Sequence, residues 1–199
     1  MRIAIDIDGV MTNLEQFVID HLTKYCVENH IDFNVGQFSY DHSKTFNITK
    51  DQEMAFWERH LVDYAINEKA RPFTSDVINK LRREGHEIYI LTARWYTNQE
   101  DEFGKKMRKL VKRWLSKNKI PYDKLIFSKA KNEEKIQEIK QNNFDLVIED
   151  SPSNINQLSK VVPMICYDAQ YNRDCDGENI IRCYSWWDIY RVIKENLCK

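Results

Sequence analysis

A chain of 199 residues, 42% of them hydrophobic, can bury a full core and fits one domain with room for an inserted subdomain. Its formal net charge of -1 gives no global pull toward a nucleic-acid polymer or an anionic membrane, and no apolar run reaches bilayer-spanning length. The five scattered cysteines lack CxxC spacing and the N-terminus shows no basic leader or signal-peptide core, so reduced thiols and a cytoplasmic address are expected rather than a disulfide frame or a zinc site.

The first segment, Ile3-Ala4-Ile5-Asp6-Ile7-Asp8-Gly9-Val10, is an apolar, β-branched run ending in two aspartates one residue apart. Its length and composition predict a buried parallel strand over 2–7. Such a strand has no use for carboxylates at its tip unless they meet a metal, a cation or a substrate. Gly9 then lets the chain turn and approach a ligand closely. Thr12 can cap a helix with Leu14, Phe17, Val18, Leu22 and Tyr25 on its inner face. After a polar, aromatic stretch over 31–48, Thr49 can cap a second helix through Met54, Trp57, Leu61 and Tyr64. The interval before the next strand is too long for one crossover helix. Residues 13–73 therefore read as a small helical cap inserted after the first strand, leaving 1–12 and 74–199 as the core.

Beyond the insert, strand and helix patterns alternate. Ser75 can cap a helix through Val77, Ile78 and Leu81, with Gly85 as its stop. A strand over 87–91 ends in Thr92-Ala93-Arg94, and residues 104–117 place Met107, Leu110, Val111, Trp114 and Leu115 on one helical face. The basic face of that helix reads as solvated surface. The strand over 124–127 is followed by Ser128-Lys129-Ala130-Lys131, with Lys135 one turn into a helix that Asn132 can cap. The strand over 145–149 ends in Glu149-Asp150-Ser151-Pro152. Strands over 162–167 and 180–183 follow, and Ser185 can cap a last helix that turns Trp186, Ile189, Tyr190 and Ile193 inward. The alternation predicts an α/β fold, a parallel sheet covered by helices on both faces.

Ligands of open parallel sheets bind beyond the carboxyl ends of the strands. There the first strand delivers Asp6 and Asp8. The second delivers the Thr92 hydroxyl, the Ala93 N–H and the Arg94 guanidinium, all phosphate-binding groups. The third delivers lysines, and the fourth a second acidic pair. Singly, each has an ordinary explanation as a cap, turn or loop residue. Four on four successive strand ends point to Mg²⁺-dependent phosphoryl transfer, because Mg²⁺ binds through one or two carboxylates plus substrate phosphate oxygens.

Asp6-Ile7-Asp8-Gly9-Val10, Thr92, a lysine within 129–135 and Glu149-Asp150 resemble, in order, the four signature motifs of the haloacid dehalogenase (HAD) superfamily, whose fold is a Rossmann-like sheet. The strings Leu91-Thr92-Ala93-Arg94 and Ile148-Glu149-Asp150-Ser151-Pro152 are most similar to its small 5'-nucleotidase and deoxyribonucleotidase branch. The resemblance implies a phosphohydrolase in which Asp6 is the nucleophile and Asp8 the general acid and base. It implies Mg²⁺ held by Asp6, the Asp8 backbone carbonyl and Asp150, with Glu149 behind the metal, assisted by Asn154. Thr92, Ala93 and Arg94 would bind phosphate together with a lysine, either Lys135 or Lys131, with Lys129 a third choice; for Arg94, contact with the sugar or simple pairing with a nearby acid stays open. A small phosphate ester such as a nucleoside monophosphate is then the expected substrate. Of the insert's aromatics, Phe17, Phe46, Phe56, Trp57 and Tyr64 include candidates for stacking on a base, although helical spacing favours a core role. The histidines show no ligand spacing. Two other readings stay open: a phosphomutase that passes the phosphoryl group to a sugar, and a silent phospholigand-binding module, for which Asp8 would be superfluous.

Overall fold

The computed structural model describes residues 1–128 and 132–197. Among them, six parallel strands pair in the order β3-β2-β1-β4-β5-β6: β1 Arg2–Ile5, β2 Glu87–Thr92, β3 Lys124–Phe127, β4 Leu146–Glu149, β5 Met164–Tyr167 and β6 Ile180–Cys183. Every strand lies within about two residues of its expected range, because strands buried on both faces read as short apolar runs. The chain winds outward from β1 to β3, then crosses back to place β4 on the other side of β1. The β1–β4 seam is therefore the topological switch point, where ligands of such sheets bind. Asp6 lies just past β1, yet its N–H still donates to the Ile148 carbonyl at 3.0 Å, tying the two strand ends together.

Alternation along the strands separates two cores. Ile3 and Ile5 pack with α4 (Thr74–Arg83), α5 (Glu102–Lys117) and α8 (Trp186–Val192) on one face. Ala4 and Val147 pack with α6 (Asn132–Asn142) and α7 (Pro152–Leu158) on the other. Between β1 and α4 lie α1 (Leu14–Glu28), α2 (His42–Phe46) and α3 (Lys50–Asn67), which share a third core of Phe17, Leu22, Phe46, Phe56, Trp57 and Leu61, reached from outside by Met107 of α5. At the base of this insert Thr12 and Ala70 form an antiparallel bridge. Arg71 clamps the same place: Nε donates to the Thr12 carbonyl at 3.0 Å and Nη2 to the Gly9 carbonyl at 3.2 Å. No helix among the described residues is long and apolar enough to cross a membrane.

Two expected caps are displaced, one by a single position and the other by two. Asn13, not Thr12, caps α1, accepting from the Gln16 N–H. The Thr12 hydroxyl is instead buried against Tyr64 at 2.7 Å. Ser75 lies inside α4, which starts at Thr74 after Phe73 in a left-handed conformation (φ 65°). The Ser75 hydroxyl donates to the Lys119 carbonyl, so tertiary contact overrides its capping preference. Thr49 and Ser185 cap as expected, Thr49 in a reciprocal capping box with Gln52. The 31–48 stretch contains α2, and α5 begins two residues early because Asp101 accepts from the Gly104 N–H at 2.7 Å.

Candidate active site

The two central strands bring three carboxylates together. Asp6, Glu149 and Asp150 are buried, and each offers an oxygen within 4.8 Å of the others. Burial, then the charge of Glu149, pushes the Asp6 carboxyl well above the ordinary range, while Lys135 pulls the other way. Burial and Glu149 push Asp150 up in the same manner, against the hydrogen bond from Tyr171. Such a cluster is costly unless a cation joins it.

The hydrogen bonds show which oxygens remain free. Glu149 is saturated: Oε1 accepts from the Asp150 and Ser151 N–H groups, each at 3.2 Å, and Oε2 from Lys135 Nζ at 3.1 Å and Asn154 Nδ2 at 3.0 Å. Asp150 Oδ2 accepts from the Tyr171 hydroxyl, whereas Oδ1 is buried with no partner. An orphaned carboxylate oxygen beside the Asp6 carboxylate is the donor chemistry of a hard divalent cation. Backbone geometry permits the crowding. Gly9 has φ +82°, and a Cβ there would fall 1.8 Å from Asp150 Oδ2.

Asp8 turns away from this cluster, which leaves only its backbone carbonyl for the metal role expected of it. Its Oδ1 accepts from the Tyr64 hydroxyl at 2.8 Å, and both oxygens face Arg94, whose Nε lies 3.1 Å from each and whose Nη2 closes the pair. Arg94 thus takes the second of its two expected roles, pairing with a nearby acid. Its buried guanidinium, packed over the Tyr64 ring at 5.1 Å, engages Asp8 through Nε and Nη2, while Nη1 has no partner. Burial works against the Arg94 charge, but the charge and hydrogen bond of Asp8, with Tyr64 and Asp6 behind them, together outweigh it and raise the Arg94 pKa. Burial and the Asp8 charge likewise raise the Tyr64 hydroxyl, keeping it a donor.

Thr92 is fully buried at the end of β2, and its Oγ1 accepts from the Arg94 N–H at 3.3 Å, which leaves its proton to give. Ala93 and Lys135 line a cleft of about 600 Å³ together with Asp6, Asp8 and Glu149. Of the lysine candidates, Lys135 reaches the acidic centre, its pKa raised because Glu149 outweighs burial. Lys131 and Lys129 lie outside the described residues. The far wall of the cleft carries Tyr40, His42, Trp57 and Trp95, with the Trp57 and Trp95 rings 5.9 Å apart. Phe17, Phe46 and Phe56 are core. Sequence reasoning missed Arg71, Trp95 and Tyr171 as site residues, and named Tyr64 only as a stacking candidate without its hydrogen bond to Asp8, because these contacts are remote in sequence and belong to no local motif. It missed likewise that His42 meets Glu53, with Nδ1 at 3.3 Å from the carboxylate.

The fold is the one that hydrolases of the haloacid dehalogenase superfamily share. A HAD-superfamily hydrolase from Ehrlichia chaffeensis superposes with a TM-score of 0.52 at 12% identity, covering 98% of this chain and 97% of that one. The D,D-heptose 1.7-bisphosphate phosphatase from B. bronchiseptica, solved with magnesium and phosphate, gives 0.55 at 11%, covering 98% and 99%. A nucleotidase of Clostridium acetobutylicum is 30% identical over 194 residues, which are 97% of this chain and 93% of that protein. The model of the family of 5' nucleotidase, deoxy (Pyrimidine), cytosolic type C proteins matches residues 1–197, and the chain belongs to that family. It is a phosphatase enzyme of the 5'-nucleotidase type.

Proposed function

We propose that the protein hydrolyses nucleoside monophosphates through a phosphoenzyme formed on Asp6. The observation that carries this reading is the orphaned, buried Asp150 oxygen in the carboxylate cluster with Asp6, which itself lines a cleft together with Asp8. Asp6 attacks phosphorus, the phosphorus–ester oxygen bond breaks, and Asp8, which enters this step protonated, delivers its proton to the leaving alkoxide and is left as the carboxylate. Asp8 then takes a proton from the water that attacks the aspartyl-phosphate, releasing inorganic phosphate and restoring Asp6. Arg94 and Tyr64 fix the rotamer of Asp8 for both transfers. Thr92, the Ala93 N–H and Lys135 bind the phosphate oxygens and stabilise the charge that builds there.

Asp6, Asp150 Oδ1 and the Asp8 carbonyl would hold Mg²⁺. When bound, the ion offsets the repulsion between the carboxylates and an incoming phosphate dianion. Glu149, saturated by protein donors, orients its neighbours instead of ligating. The helical insert serves as a cap, and its Trp57 with Trp95 opposite frames a slot for the base.

A phosphate-release screen over nucleoside monophosphates, sugar phosphates and small phosphorylated metabolites tests the reading. Turnover should favour nucleotides, stop in EDTA and return with Mg²⁺. A requirement for a sugar bisphosphate activator would mark a phosphomutase instead. Rapid quenching during turnover should trap phosphate on Asp6.

A further inference from the structure

We propose that Tyr171 is a positioning residue for the metal site: its hydroxyl engages Asp150 Oδ2 and so leaves Oδ1 as the ligand atom, while Tyr40 of the insert seats its ring. The inference rests on the Mg²⁺ reading given above.

Tyr171 lies in a short turn, Gln170–Asn172, that follows β5, a strand the four motifs do not use. Two neighbouring residues of that turn grip Asp150 at once. The Tyr171 hydroxyl donates to its side chain, and Asn172 Nδ2 donates to its backbone carbonyl at 2.8 Å. Asn172 is itself pinned, because Nδ2 also donates to the Tyr167 carbonyl at 2.9 Å and Oδ1 accepts from Arg182 Nη1 at 2.8 Å. The grip closes against Gly9, where a Cβ would come within 2.8 Å of the Tyr171 hydroxyl. The contact is therefore packed on the very loop that carries Asp8. On its other side the Tyr171 ring meets Tyr40 edge-on, with centroids 5.4 Å apart. Tyr40 lines the cleft wall, so a residue of the insert reaches the metal carboxylate through one intermediary.

A carboxylate with one oxygen held by a rigid donor cannot rotate its free oxygen out of place. Removing such a partner typically costs about 10–100-fold in metal affinity. Tyr171→Phe keeps the ring and its packing while deleting the donor. Titration calorimetry with MgCl₂ on the metal-free full chain should show a dissociation constant about 10–100-fold above wild type. The far-UV circular dichroism should match wild type, and kcat should return toward the wild-type value when Mg²⁺ is raised to saturation. That recovery separates positioning from a general loss of structure. An unchanged dissociation constant overturns the inference, as does a loss of kcat that saturating Mg²⁺ does not restore. Should Tyr171→Phe not fold, Tyr40→Ala unseats the ring without deleting the hydroxyl and should weaken Mg²⁺ binding in the same direction; an unchanged constant there overturns the inference equally. A wild-type protein that binds no Mg²⁺ overturns the metal reading itself, which is a different result from normal wild-type binding with an unaffected variant.

Discussion

Asp6 and Asp8 stand one residue apart and occupy opposite electrostatic settings. Asp6 is pressed by burial and by Glu149, so its charge is disfavoured in the metal-free protein. Asp8 is paired with the buried Arg94 and accepts from Tyr64. The first setting suits a nucleophile awaiting a cation, the second a proton carrier held in one rotamer. Asp6→Asn should therefore reduce phosphate release by on the order of 10⁴-fold or more. Its metal-free melting temperature should stay level or rise, because the amide removes a disfavoured buried charge. A turnover near wild type would take the nucleophile's role away from Asp6. Asp8→Asn should lower kcat for an alkyl phosphate such as a nucleotide by about 10²–10⁴-fold. With p-nitrophenyl phosphate the loss should be smaller, because that leaving group departs without a proton. Equal losses on both substrates would argue against proton transfer by Asp8.

At the scale of elements, each strand end supplies one kind of group and each loop adds a second. The β2–α5 loop carries Arg94 inward to Asp8 and Trp95 outward to the cleft, where 48% of its surface is exposed. A base stacked there contributes about 1–3 kcal/mol. Trp95→Ala should thus raise KM for nucleoside 5'-monophosphates by about tenfold, and raise KM for ribose 5-phosphate, which lacks a base, far less; parallel increases would remove the stacking role. Trp95 also shows where sequence reading stops. The strands, the acid pairs at their tips and Lys135 were legible because parallel strands are apolar runs and their polar ends stand out against them. Asn154 beside Glu149 was legible from helical spacing. Tyr64 and Tyr171 were not, since a tyrosine at helical spacing or in a turn carries no mark of the carboxylate it meets across 56 or 21 residues. The commitment of Arg94 was hidden for the same reason: a guanidinium after a strand serves a phosphate or a neighbouring acid equally well. Thr12 and Ser75 misled by one and two positions because a hydroxyl that can cap a helix can also be taken by a remote partner.

For the whole molecule, the strand order sets a tension that a cation relieves. Placing β4 beside β1 brings Asp150 and Glu149 against Asp6, and in the metal-free state the fold bears that repulsion. Carboxyls raised in the folded state hold protons that the unfolded chain, with its ordinary value near 3.8, has released. Metal-free stability should consequently increase as pH falls from neutrality through the raised values of Asp6 and Asp150. Asp41 acts with the opposite sign. Burial works against the Asp41 charge, but the hydrogen bonds from Lys50 and Ser43 together with the Lys50 charge bring it down to about 2, so its contribution disappears only as pH falls from about 3.8 toward 2. Between pH 7.5 and 5 the His60 and His86 pKa values, lowered chiefly by burial, oppose the gain from Asp6 and Asp150, so the carboxylates are read from the difference between melts with and without the ion. Saturating Mg²⁺ needs the same carboxylates deprotonated, so its benefit should be greatest at pH 7.5 and shrink toward pH 5. At a concentration 100 times its dissociation constant the ion adds about 2.7 kcal/mol. For a chain of this size that corresponds to a rise of roughly 5–10 °C in melting temperature. Thermal melts at both pH values, in EDTA and in MgCl₂, read both slopes at once. A Mg²⁺ increment that grows as pH falls over the same interval would mean that Asp6 and Asp150 do not hold the ion together.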